Sequence, residues 1–224
     1  MISSPTWSRR WAPDAGSRGR NMSLSADLWA ANSDLASRIL SHGFVRGLRD
    51  GSLPIECFKG YVAQDAYFLE AFARAYAFCL ANSRSREDLY GFAGLIAGVL
   101  QELKLHKGYA ERWRVDLDGV APIEATRAYV GFLLETARRG NLGETIAAMT
   151  PCMRLYAFLG RSLAANSVAK LYSEWVKTYA DPGFEALAAQ LETLLDLHAD
   201  DTEAVRANYR RAMELELGFF AAHA

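Results

Sequence analysis

After Ser23 the hydrophobic residues of this chain fall almost everywhere at three- and four-residue intervals, the spacing of one face of an α-helix. Leu28, Trp29, Leu35, Ile39 and Leu40 predict a first helix over 26–41. Residues 42–53 read as a glycine-containing loop. Pro54 then opens a helix, where its missing N–H costs nothing. Phe58, Tyr61, Val62, Phe68, Leu69, Phe72 and Tyr76 carry this second helix to about Ala81. Ser85 caps a third that runs to about Trp113, and a fourth spans 123–139 before Gly140. Asn141 and Glu144 have capping-box spacing and start a fifth. Shorter helices are expected over 168–179 and 182–197, with a last one from near Asp200 and Thr202 to the C-terminus. No β-branched residues alternate with polar ones, and no internal repeat is present. The pattern predicts an all-α, single-domain bundle of about eight helices over 23–224.

One stretch of the fifth helix breaks its own rule. Pro151 sits inside an apolar helical run, where it removes an N–H and crowds the carbonyl of Ala147 at a cost of about 3 kcal/mol. Cys152 follows directly and shares a stripe with Ala148, Met149, Leu155, Tyr156 and Leu159. A small buried cysteine beside a tolerated kink is the plain reading. Polar groups elsewhere add a second one. Asp65 lies on the stripe of Tyr61, Val62, Phe68 and Leu69, and Glu216 on that of Ala212, Met213, Phe219 and Phe220, whereas Glu214 falls off it. Tyr129 is flanked by Ala125, Phe132 and Leu133. Buried carboxylates need partners. Either they form ion pairs, with Arg127, Arg154 or Arg210 as candidates, or they line a polar pocket between helices. Such a pocket, with a thiol, two carboxylates and several phenol rings, suits a flat heterocycle.

Composition narrows the choice without deciding it. The chain is 51% hydrophobic and 23% charged with a net charge of −1, so no global field draws it to nucleic acid or an anionic membrane. No segment reads as membrane-spanning. Cys57, Cys79 and Cys152 are an odd set without metal-type spacing, and they suit a reducing, cytoplasmic setting. Residues 1–22 stand apart as a disordered leader, rich in Ser, Gly, Pro and Arg, with Arg9, Arg10, Arg18 and Arg20 against Asp14. They lack the apolar core of a secretory signal and loosely resemble an organelle transit peptide; Met22 is an alternative start. Glu102 and His106, four apart, are the only pairing that suggests a carboxylate metal site. No second Glu/His pair supports it, so neither a metal nor another cofactor is expected. Phosphate loops, a Ser-His-Asp order and a basic DNA-reading helix are not found.

Several segments together resemble the TenA family, the thiaminase II group of the heme-oxygenase-like helical fold. They are His42-Gly43-Phe44-Val45, Gly51-Ser52-Leu53-Pro54, the run from Phe58 through Gln64-Asp65 to Leu69, Pro151-Cys152, Leu155-Tyr156 and the Trp175–Tyr179 spacing. The resemblance covers nearly everything after residue 22. It implies an aminopyrimidine aminohydrolase that releases 4-amino-5-hydroxymethyl-2-methylpyrimidine from thiamin or from its aminomethyl breakdown product, in a homotetramer. By position it makes Cys152 the nucleophile, Glu216 the acid/base and Asp65 the carboxylate that binds the pyrimidine. Tyr129 and Tyr179 line the pocket and Tyr156 stacks on the ring. Two positions depart from the family pattern: Phe68 stands where many relatives carry tyrosine, and Gly43 replaces a proline. Other readings are a heme or di-metal oxygenase in the same fold, and a non-catalytic pyrimidine-binding or regulatory protein.

Overall fold

In the computed structural model, which describes residues 23–117, 119–165 and 168–224, the periodic pattern becomes ten α-helices and one 3-10 turn. They are α1 (Leu24–Ala31), α2 (Ser33–Leu40), α3 (Gly43–Asp50), α4 (Ile55–Asn82), α5 (Arg86–Trp113), α6 (Glu124–Arg138), α7 (Leu142–Ala164), α8 (Ser173–Tyr179), α9 (Pro182–His198) and α10 (Glu203–Ala221). The 3-10 turn, Lys170–Tyr172, precedes α8. No strand occurs among the described residues. The expected leader, 1–22, lies outside them.

Side-chain caps explain most of the starts. Ser85 accepts from the Asp88 N–H at 3.0 Å, Asn141 from Glu144 at 3.0 Å and Thr202 from Val205 at 3.2 Å. Asn141 also donates to the Glu144 carboxylate at 3.1 Å, a variant of the capping box.

Three expectations need correction; the helix expected over 168–179 starts only at Ser173, behind the 3-10 turn. The first helix is split at Asn32, whose side-chain amide turns back to the Leu28 carbonyl at 2.8 Å and ends α1. The supposed loop over 42–53 contains α3. His42 caps it by accepting from the Phe44 N–H, and Gly51 ends it in the left-handed region at φ 83°. Its apolar positions, Phe44, Val45 and Leu48, are buried, but glycines and arginines dilute the pattern on which a sequence reading depends.

α7 forms the axis of the bundle, packed against α4, α6, α8, α9 and α10. It is buried nearly all round, with Ile146, Ala147, Met149, Leu155, Ala157 and Leu159 fully enclosed. Surrounding helices supply the packing that carries the chain through Pro151 without a break. Near its C-terminal end Gly160 lets the backbone of α8 come very close: a Cβ placed there would lie 2.2 Å from the Tyr179 carbonyl carbon. α4, α5 and α10 complete the walls around the middle of α7, and the polar residues collect there.

Candidate active site

α7 brings Cys152 to the centre of the bundle. The residue is buried but retains 8% of its surface, while Met149 and Leu155 retain none. Glu216 of α10 is hydrogen-bonded to the thiol and accepts from the Tyr129 hydroxyl at 2.8 Å. Asp65 of α4 and His106 of α5 meet at 2.7 Å through Oδ2 and Nε2, both almost fully buried. The other ring nitrogen of His106 donates to the Glu102 carbonyl at 3.0 Å. With an acceptor on each side, the imidazole is held as its doubly protonated cation. Burial opposes that charge, but the hydrogen bond and charge of Asp65 overcome it and raise the pKa to about 9.

The aromatic wall is continuous with these groups. Phe68 packs against Tyr129 at a centroid distance of 4.6 Å. Tyr156 lies edge-on to Tyr179 at 4.8 Å and tilted by 30° against Phe220 at 5.7 Å. The Trp175 indole donates to the Tyr61 hydroxyl at 3.2 Å, which in turn donates to the Tyr156 hydroxyl at 3.3 Å. Tyr179 closes the set by donating to the Glu102 carboxylate at 2.6 Å. All seven expected site residues, Cys152, Glu216, Asp65, Phe68, Tyr129, Tyr156 and Tyr179, are buried in this part of the molecule.

Burial first and negative charge second place the protons of the site. Burial, then the charge of Asp65, pushes Glu216 up to about 8 despite the hydrogen bonds from Tyr129 and Cys152. Glu102 rises to about 7, chiefly from burial and then from Asp65. The Cys152 thiol is held well above its usual range by burial and by the charges of Glu216, Glu102 and Asp65. At neutral pH the resting site therefore holds a thiol, a protonated Glu216 and a His106 cation facing Asp65. Such an arrangement can exchange protons with a bound base. Carried by an electrophilic ring, that base would also make the ring open to the sulfur.

The arginines considered as partners for the buried carboxylates are elsewhere. Arg154 binds Glu185 and Glu192, Arg210 binds Asp34, and Arg127 donates to the Pro122 carbonyl. Histidine takes their place at Asp65. The sequence did show Glu102 and His106 four apart, but as a metal pair; facing a third inward carboxylate, the same spacing makes an ion pair. No group of three or more metal-ligating side chains occurs among the described residues. No described helix is long and apolar enough to cross a membrane.

Comparison with known proteins places the chain among relatives of similar sequence and fold. The chain is 32% identical over 203 residues to the bifunctional TH2 protein, mitochondrial, of Arabidopsis thaliana, covering 78% of this chain and 33% of that protein. It is also 32% identical over 185 residues to the aminopyrimidine aminohydrolase of Halalkalibacterium halodurans, covering 80% and 83%. The chain thus spans about a third of the plant protein and most of the bacterial one. Among solved structures, a TenA family transcription regulator from Silicibacter superposes with a TM-score of 0.83 at 27% identity, covering 88% of this chain and 95% of that one. The profile of one family matches residues 29–224, which takes in every helix bordering the site: the chain belongs to the TENA/THI-4/PQQC family.

Proposed function

We propose that this protein is an aminopyrimidine aminohydrolase that works through Cys152, releasing 4-amino-5-hydroxymethyl-2-methylpyrimidine from thiamin or from the aminomethylpyrimidine. The observation that carries the reading is the Cys152–Glu216–Tyr129 chain set opposite Asp65 in the same buried cluster. Family membership and the bacterial relative named for this activity support it.

The resting thiol defines the order of proton movements. Glu216 gives its proton to a ring nitrogen, the Cys152 thiol replaces that proton on Glu216, and Sγ bonds to a ring carbon. No free thiolate has to persist among three carboxylates. The adduct's electrons expel the exocyclic leaving group, water adds to the methylene carbon, and sulfur departs. Asp65, with Oδ2 held by His106, has Oδ1 to accept from the pyrimidine amino group. Tyr156 stacks on the ring, while Phe68, Tyr129 and Tyr179 shape its edge. A cytoplasmic homotetramer is part of the same proposal; three free cysteines among the described residues suit a reducing compartment. Light scattering on the purified chain checks the assembly.

The deciding experiment follows pyrimidine release chromatographically from each substrate, with Glu216→Gln beside the wild type. Loss of about 100-fold or more in kcat is expected, because the variant holds a hydrogen bond but cannot pass a proton. Wild-type protein inert toward both substrates would overturn the reading.

A further inference from the structure

The chemistry just proposed uses Glu216 and Asp65 but leaves one buried carboxyl without work. Glu102 is ringed by protein, yet part of its surface stays accessible, because it forms part of the wall of a cavity of about 670 Å³. The cavity lies between α5, the α8–α9 turn and the start of α9. Leu95, Val99, Leu105, Met153, Phe184 and Leu187 make most of its surface apolar. Cys152 is not on its wall; the cavity meets the site through Glu102 and through Met153, the next residue after the cysteine. Close by, the hydroxyl of Tyr76 is fully buried with no hydrogen-bond partner, near enough to feel the charges of both Cys152 and Glu102.

We propose that this cavity is the chamber that receives the substrate's leaving group, and that Glu102 is a second acid/base residue serving amine leaving groups in particular. The inference rests on the aminopyrimidine reading. Asp65 is committed to His106 and Glu216 to the ring and thiol, which leaves Glu102, oriented by Tyr179, as the carboxyl on the leaving-group side.

The proton balance then separates the two substrate types. An aminomethyl substrate loses its nitrogen as ammonia. The C–N bond breaks with its electron pair staying on nitrogen, and Glu102 supplies the third proton. Water next bonds to the methylene carbon and returns a proton to Glu102. Thiamin loses a thiazole whose quaternary nitrogen keeps the bonding pair and becomes neutral, so its departure needs no proton; the proton shed by the incoming water passes to the departing Cys152 sulfur, and the one on the ring nitrogen is released to solvent. The groups that surround Glu102 fit a proton-transfer role. Asp65, His106 and Tyr179 act on its carboxyl directly, and its charge reaches Tyr61, Tyr76, Tyr109 and Cys152. Lys177 and Asp181 stand at the cavity. With a pKa raised to about 7, mainly by burial, it is present in both forms near neutrality.

The test measures kcat and KM on aminomethylpyrimidine and on thiamin for wild type, Glu102→Gln and Leu187→Trp. Glu102→Gln is expected to lower kcat on the amine by about 100-fold or more. Thiamin hydrolysis should lose at least tenfold less, in kcat rather than KM. Leu187→Trp, which fills the chamber, is expected to move the ratio the other way, cutting kcat/KM on thiamin at least tenfold more than on the amine. Equal losses on both substrates, or no loss, would overturn the assignment while leaving the pyrimidine reading intact. A Glu102→Gln protein that does not fold leaves the Leu187→Trp ratio to decide. Wild type inactive on both substrates would defeat both inferences together.

Discussion

Cys152 and Arg154 are two residues apart on α7, and each faces a cluster of buried charge. Around Arg154 charge is matched, since Arg154 and Arg161 together face Glu185 and Glu192. The Arg154 guanidinium donates at 2.7 Å and 2.5 Å to the two oxygens of Glu192 and at 2.8 Å to Glu185, tying α7 to α9. Around Cys152 three carboxyl groups, Asp65, Glu102 and Glu216, share the single cation of His106. Two of them are pushed toward their neutral forms, and the thiol with them. A saturated cluster holds helices together; an unsaturated one is poised to exchange protons with whatever enters. The two sides of one helix differ in charge balance as well as in burial, and it is the imbalance that marks the functional side.

Exchanging the roles of the two faces should fail in opposite ways. Replacement of Cys152 by alanine is expected to abolish pyrimidine release, by at least about 1000-fold or roughly 4 kcal/mol of transition-state stabilisation. Its melting temperature should stay within a few degrees of wild type. A calorimetric scan beside the assay checks both halves. Arg154→Met should do the reverse. Stranding Glu192, and leaving Glu185 with Arg161 alone, costs about 1–3 kcal/mol of folding stability, read as a lower urea midpoint, while the surviving folded protein keeps its kcat. If Arg154→Met is as inactive as Cys152→Ala but no less stable, the contrast between the faces is wrong.

pH sharpens the comparison further. His106 has its pKa raised above the ordinary value, so the stability of its pair with Asp65 is full below about 6.5 and disappears as pH rises through about 9. His106→Asn should therefore be less stable than wild type at pH 6, with the gap narrowing toward pH 9. Thermal melts across that range decide it; a gap that widens with pH would mean that the imidazole is neutral. The smallest effect is expected at Phe68. Its ring sits 4.6 Å from that of Tyr129, so a hydroxyl added by Phe68→Tyr enters a region already supplied with one. Less than about a tenfold change in kcat is expected.

Legibility from sequence followed the same division. Asp65 and Glu216 stood out because a charge on an apolar stripe contradicts its neighbours, and long amphipathic helices such as α4 and α10 make that contradiction visible. The helical character was readable from the same periodicity, and the caps at Ser85, Asn141 and Thr202 from their residue types. α3 was missed because eight residues with two glycines and two arginines give too short a pattern. The pairing of Asp65 with His106 was missed for a different reason. Those residues are 41 apart in the chain, and only the packing of α4 on α5 makes them neighbours. Periodicity tells which way a side chain points along its own helix; it says nothing about which helix stands opposite. On α7, buried all round, even that direction carried little information.

Gly160 has a consequence for how this sequence can drift. Every other amino acid adds a Cβ, and that atom would lie 2.2 Å from the carbonyl carbon of Tyr179. The residue touches no candidate catalytic group by a side chain, having none, yet it sets how near the Tyr179 backbone stands to α7. Substitution there leaves two outcomes: the helices separate and carry the tyrosine away from Glu102, or the chain does not fold. The site therefore depends on a position whose contribution is an absence of atoms: the close approach of α7 to the Tyr179 backbone helps to hold that tyrosine's hydroxyl at Glu102.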